Sequence, residues 1–189
     1  MGTLHLVLYM RNRIHDNPVI KNRIEFIELC EETQGKRTVA EISVKPGGKV
    51  PLHYHNEFSE YYEVLDGELK MQIGKEIKTL KKGDYLLIPI KTNHRYFNDS
   101  GSDARFKVVI QPGNIGYQLL VSVLNGLGRD GKVTRDGLPT NWLIRGYLSV
   151  ASGSNVPGVL SWLQPMLDKL YKIAIKKGID KKLLAKYYV

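Results

Sequence analysis

The chain has 189 residues, 42% of them apolar and 25% charged, which is enough to bury a core and excludes disordered, collagen-like and coiled-coil readings. It holds no run of about 18 apolar residues, so no membrane-spanning helix is expected. The net charge of +9 is uneven: residues 1–126 carry 17 basic and 15 acidic side chains, whereas residues 127–189 carry 11 and 4, with no glutamate.

The opening segment is apolar at Leu4, Leu6, Val7 and Leu8. It has neither a basic leader nor a small-residue cleavage site, so a cytoplasmic location is expected. The single cysteine, Cys30, excludes an internal disulfide or a Cys-based metal cluster and reads as a small buried apolar group. His5 and His15 lack ligand-spaced neighbours and read as surface or subunit-contact residues.

Strands dominate the first two-thirds. Apolar residues alternate at Ala40, Ile42 and Val44, at Leu69, Met71 and Ile73, and at Phe106, Val108 and Ile110, the period of half-buried strands. Turn signals punctuate them at Gly47-Gly48, Asp66-Gly67, Gly74-Lys75, Gly83-Asp84, Ser100-Gly101 and Pro112-Gly113. Many short strands so spaced predict an antiparallel sandwich or barrel over residues 1–113, with the closed part over 23–112.

Helices follow over 114–189. The first is predicted over Tyr117 to Leu127, closed by Gly128. A second is predicted around Asn141 to Leu148, inside a connection rich in Gly, Pro, Asn and Ser. Leu160, Leu163, Met166, Leu167, Leu170, Tyr171 and Ile173 then repeat at helical spacing, with lysines opposite and Pro165 either starting or kinking the helix. Gly178 is expected to end it, with Asp180 capping a final short helix. The lysines from Lys169 to Lys186 read as a solvated face. No aromatic stacking platform interleaves them, so neither nucleic acid nor membrane is an expected partner.

Histidine carries the chemistry. His53 and His55, two apart on a strand, present both imidazoles to one space. Glu60 has the opposite parity and joins them only if Asn56 to Ser59 turn, after which Glu60, Tyr62 and Val64 face inward. His94 stands beside the turn that follows Ile88-Pro89. Three neutral imidazoles and one carboxylate suit a divalent transition metal and leave positions open for water or substrate. Tyr62 and Tyr96 share parity with Glu60 and His94 and are candidates to line the pocket or fill the core. Lys91 and Arg95 lie near its mouth.

These phrases resemble the two motifs of the cupin superfamily. Gly47, His53, His55, Glu60 and Gly67 match the first, and Gly83, Pro89, His94 and Asn98 match the second. Lys91 departs, standing where the family often has Gly, which bears on the local turn rather than on the ligands. The resemblance covers roughly residues 35–112. It implies a mainly β, antiparallel jelly-roll barrel with a C-terminal helical extension like those of some quercetinase-like cupins. It also implies one metal ion (Fe, Ni, Mn, Cu or Zn) held by His53, His55, Glu60 and His94, with Glu60 able to act as a catalytic base. The expected function is a dioxygenase-type oxidoreductase acting on a small organic molecule. A metal-dependent sugar isomerase or lyase, or a non-catalytic sensing module, is the alternative. A homodimer is expected, with the segment Leu4 to Tyr9 added to a sheet.

Overall fold

The computed structural model describes residues 10, 12–157 and 164–188. Leu4 to Tyr9, His5, Leu160 and Leu163 lie outside the described residues. Among those described, no helix is long and apolar enough to cross a membrane.

The strands are β1 (Ile14–Asn17), β2 (Asn22–Glu28), β3 (Thr38–Val44), β4 (Tyr54–His55), β5 (Ser59–Asp66), β6 (Glu68–Ile73), β7 (Glu76–Lys81), β8 (Tyr85–Ile88), β9 (His94–Phe97), β10 (Ala104–Gln111) and β11 (Ser154–Asn155). The helices are α1 (Ile115–Arg129), α2 (Trp142–Ser152), α3 (Gln164–Lys176) and α4 (Ile179–Tyr187). A six-stranded sheet runs β1-β2-β3-β10-β5-β8, a three-stranded sheet runs β7-β6-β9, and β11 pairs with β4. All pairings are antiparallel, as the alternation predicts.

The two larger sheets face each other in a jelly roll. Alternate side chains of each point into one core: Ala40, Ile42 and Val44, then Leu69 and Met71, then Phe106, Val108 and Ile110 are all at most 2% exposed. Tyr96 on β9 meets Phe106 on β10 at 5.1 Å between ring centres, which joins the sheets. Truncating a ring such as Phe106 to alanine would cost about 3–5 kcal/mol.

The helices pack against this core and one another. Asn114 caps α1 by accepting from Tyr117 N at 2.8 Å. Gly128 does not end α1, contrary to expectation. It lies within the helix because Asn17 of β1 crosses there, and a Cβ would sit 2.4 Å from Asn17 Oδ1. His15 is also not a surface residue: β1 runs beneath α1, so His15 is 1% exposed, and burial holds its pKa below the usual value. Cys30 is buried as expected, and burial raises its thiol pKa.

The second helix begins at its Asn141 cap as expected but runs to Ser152, where Gly153 in the left-handed conformation (φ 63°) stops it. Pro165 sits in the first turn of α3, where a missing N–H costs nothing. Asp180 does not cap α4. Gly178 takes the cap position with a left-handed φ of 65° and no side-chain bond, which places Asp180 inside the first turn. The lysines of α3 and α4 face outward, and Lys186 ties α4 back to Asp130 at the end of α1.

Candidate metal centre and its cavity

The first motif folds as a turn followed by an irregular stretch bridged to β9 at Lys49–Phe97 and His53–His94. Gly47 takes φ 77°, and His53 and His94 exchange backbone hydrogen bonds at 3.0 and 2.8 Å. His55 follows on β4 with its ring stacked on Phe58 at 4.2 Å. The chain then turns into β5, which places Glu60 opposite Ile110 of β10 and Ile88 of β8, pointing inward. His94 opens β9 and completes the set. The four ligand-type atoms of His53, His55, Glu60 and His94 lie within 4.8 Å of one another.

The turn that delivers His94 retains its shape despite Lys91. That residue adopts φ 60°, the conformation a glycine favours, and its N–H donates to His55 O at 2.7 Å. Asn98, the last motif residue, is structural. It is 1% exposed and donates to Val44 O and Ser102 O at 2.8 Å each.

Each imidazole is oriented from outside the cluster. His53 Nδ1 donates to Pro51 O and His94 Nδ1 to Thr92 O, both at 2.8 Å. Because a carbonyl oxygen can only accept, both rings carry a proton on Nδ1, which directs Nε2 into the cluster. His55 Nδ1 bonds Ser154 Oγ at 2.9 Å. His55 Nε2 is buried, lies 3.5 Å from Glu60 Oε1 and makes no hydrogen bond among the described residues. A buried, unpaired imidazole nitrogen beside a carboxylate is a group that a metal ion satisfies.

Electrostatics fit the same reading. Burial, with the neighbouring imidazoles next, pushes His53 down to about 3, so it stays neutral. Burial opposes charge on Glu60, but His55 and His94 outweigh it and hold its carboxyl well below the usual range. Burial likewise opposes charge on His94. Its 2.7 Å bond to Glu60 Oε2 and the carboxylate's charge win, so its pKa is raised. Tyr62 donates to the same Oε2 at 2.9 Å, and burial beside Glu60 pushes the phenol well above its ordinary value. Neutral His53 and ionised Glu60 are the forms that ligate a divalent cation, whereas His94, donating from Nδ1 to Thr92 O and from Nε2 to Glu60, carries a second proton that a bound cation would displace.

The cluster opens onto a cavity of about 200 Å³ between the sheets and the helical extension. Tyr62 and Tyr96 lie along it and are buried, at 3% and 5% exposure. Arg95 instead bonds Gln72 at 2.7 Å and lies over Phe97, and Lys91 is exposed. The far wall comes from the extension: Tyr117 and Asn125 on α1, Trp142 and Arg145 on α2, and Ser154 on β11. None of these is marked in the sequence. They join the site through helix packing and a two-residue strand pairing between segments about a hundred positions apart.

Comparison with known proteins agrees with the residues. The family model described as "Cupin domain" matches residues 40–110, which spans all four candidate ligands. An uncharacterised protein of Methanocaldococcus jannaschii is 40% identical over 63 residues, 33% of this chain and 50% of that one. A germin-like protein of Morus alba is 32% identical over 94 residues, 47% of this chain and 45% of the relative. The chain spans about half the length of these curated relatives. Among solved structures, a predicted oxalate decarboxylase from Thermotoga maritima aligns with TM-score 0.47 at 25% identity, covering 48% of this chain and 80% of its own.

Proposed function

The chain carries a cupin domain over residues 40–110, and on that premise we propose that it is a metal-dependent enzyme acting on a small, largely apolar organic molecule. One observation carries this reading: four ligand-type side chains, pre-oriented from behind, converge at the wall of a mostly apolar cavity. His53, His55 and His94 would hold a divalent transition metal through Nε2, and Glu60 through a carboxylate oxygen. The bound ion would polarise a substrate oxygen or lower the pKa of a bound water.

The chain's own groups do the rest. Tyr62 holds Glu60 in place by its hydrogen bond, so a carboxylate oxygen stays positioned to take a proton from a substrate bound beside it. Ile24, Ile42, Val121 and Leu148 exclude water and strengthen every charge interaction in the cavity. An apolar wall suits a hydrocarbon or aromatic body. It does not suit a sugar, whose hydroxyls each need a polar partner, so oxidation or cleavage of an apolar-bodied molecule is favoured over sugar isomerisation.

The test is turnover by protein reconstituted in turn with Fe, Ni, Mn, Cu and Zn. Oxygen uptake is recorded with small aromatic and aliphatic substrates, and products are read by mass spectrometry. Metal-dependent product formation that Glu60→Gln abolishes supports the reading. A ligand recovered unchanged with every metal contradicts it and leaves a binding module.

A further inference from the structure

The cavity has a second charged pole. Glu60 and the histidines form the first, and among the described lining residues Arg145 on α2 is the other side chain with a full charge. Its Nε donates to Pro139 O at 2.6 Å, and its guanidinium lies 4.7 Å from the centre of the Trp142 ring. These contacts fix the plane of the fork. Among the described residues its two Nη groups have no hydrogen-bond partner, so a rigid pair of donors is left for an acceptor with two oxygens.

The cavity wall also holds two incompletely paired amides. Asn125 on α1 is 2% exposed, and among the described residues its Oδ1 has no partner. Asn22 on β2 is 6% exposed. Its Nδ2 donates to Tyr96 OH at 2.9 Å, while its Oδ1 has no partner among the described residues. Turning the Asn22 amide over exchanges which atom is unpaired without pairing both. Buried polar groups in proteins are nearly always paired, so two such amides on one cavity point to polar groups on its occupant.

We propose that the cavity takes a small organic acid with an apolar or aromatic body, its carboxylate held by Arg145 and a hydroxyl on its body paired with Asn125. The proposal rests on the reading of this cavity as the substrate site, and makes the helical extension the element that sets specificity. A carboxylate fits better than a phosphate. One arginine among apolar neighbours balances a single charge, and the second charge of a phosphate would be left uncompensated.

Titration calorimetry on the full chain tests it, with hexanoate, octanoate, 3-phenylpropanoate and 3-(4-hydroxyphenyl)propanoate, each compared with its amide. The acids should bind about tenfold or more tighter than the amides. Arg145→Gln should remove that preference, and Arg145→Lys, lacking the fork, should not restore it. Asn125→Leu should remove the advantage of the hydroxylated probe over 3-phenylpropanoate. Amides binding as well as acids to the unmutated protein, or no binding from the whole panel, would overturn the proposal, and neither result depends on a variant folding. Each titration is run on zinc-loaded and on chelator-treated protein. Acid preference in protein that takes up no zinc contradicts the metal reading alone, and loss of preference in protein holding one zinc contradicts this proposal alone.

Discussion

Replacing Ser154 by alanine tests whether the helical extension completes the metal centre. Ser154 Oγ is the only side-chain partner of His55 Nδ1 among the described residues, at 2.9 Å, whereas His53 and His94 are oriented by the carbonyls of Pro51 and Thr92, which no substitution removes. Two of three imidazoles therefore stay fixed, and the loss should be partial. Removing an outer partner of a metal-bound histidine typically lowers metal affinity about 10–100-fold, or about 1.4–2.7 kcal/mol. Stability without metal should fall by only about 1 kcal/mol, the net worth of one hydrogen bond. Zinc competition against a chromogenic chelator reads the first quantity, and chemical denaturation of chelator-treated protein reads the second. At a fixed free zinc concentration, the stabilisation given by the metal should shrink by the same 1.4–2.7 kcal/mol or so. Ser154→Thr, which keeps the hydroxyl, should recover most of the affinity. Zinc affinity within about twofold of the unmutated protein would refute the argument and leave Ser154 a purely structural residue.

Gly116 lies where α1 crosses the end of α2, and a Cβ there would stand 2.1 Å from Ala151 O. Gly116→Ala should therefore cost about 1–3 kcal/mol in a denaturation experiment, and a neutral result would contradict the packing described. Lys91→Gly should raise stability by roughly 0.5–1 kcal/mol, because relief of the left-handed penalty exceeds the added chain entropy, with lower stability as the contrary outcome. Asp130 is held down to about 2, first by its bond to Lys186 and then by that to Tyr187. Its folded pKa lies below the unfolded value of about 3.9, so its contribution is present above that pH and is lost as pH falls toward 2. Hydrogen exchange of α4 should show it loosening over that window, and Asp130→Asn should remove the pH dependence. The edge strand β8 leaves Tyr85 and Leu87 each 58% exposed, with Tyr61 stacked on Tyr85. A second copy covering this edge would give a homodimer that Leu87→Asp shifts toward monomer, and light scattering showing monomer for the unmutated protein would refute it.

The four candidate ligands were legible because their geometry is local. A parity rule places His53 and His55 together, a turn at Asn56 to Ser59 corrects the parity of Glu60, and His94 follows a second turn. The sheets were legible for the same reason, since alternation at Ala40 to Val44 and at Phe106 to Ile110 is read directly as burial. What sequence could not supply is packing between distant segments. Ser154 reaches His55 through a pairing of two residues on each side, too short to leave a periodic signal. Asn125 and Arg145 carry no ligand spacing of their own and reach the cavity only because α1 and α2 close over the sheets. Gly128 misled for the same reason: a close crossing by Asn17, and not a helix end, explains the missing side chain.

Metal content of protein purified without added metal and without a nickel column tests the central claim most directly. Elemental analysis by mass spectrometry should find close to one transition-metal ion per chain. The His53→Ala/His55→Ala double variant, which removes two of the four candidate ligands from a folded jelly roll, should hold almost none while keeping its sheet signature in circular dichroism. A folded double variant that retains the full metal content of the unmutated protein would contradict the assignment of His53, His55, Glu60 and His94 as the metal centre.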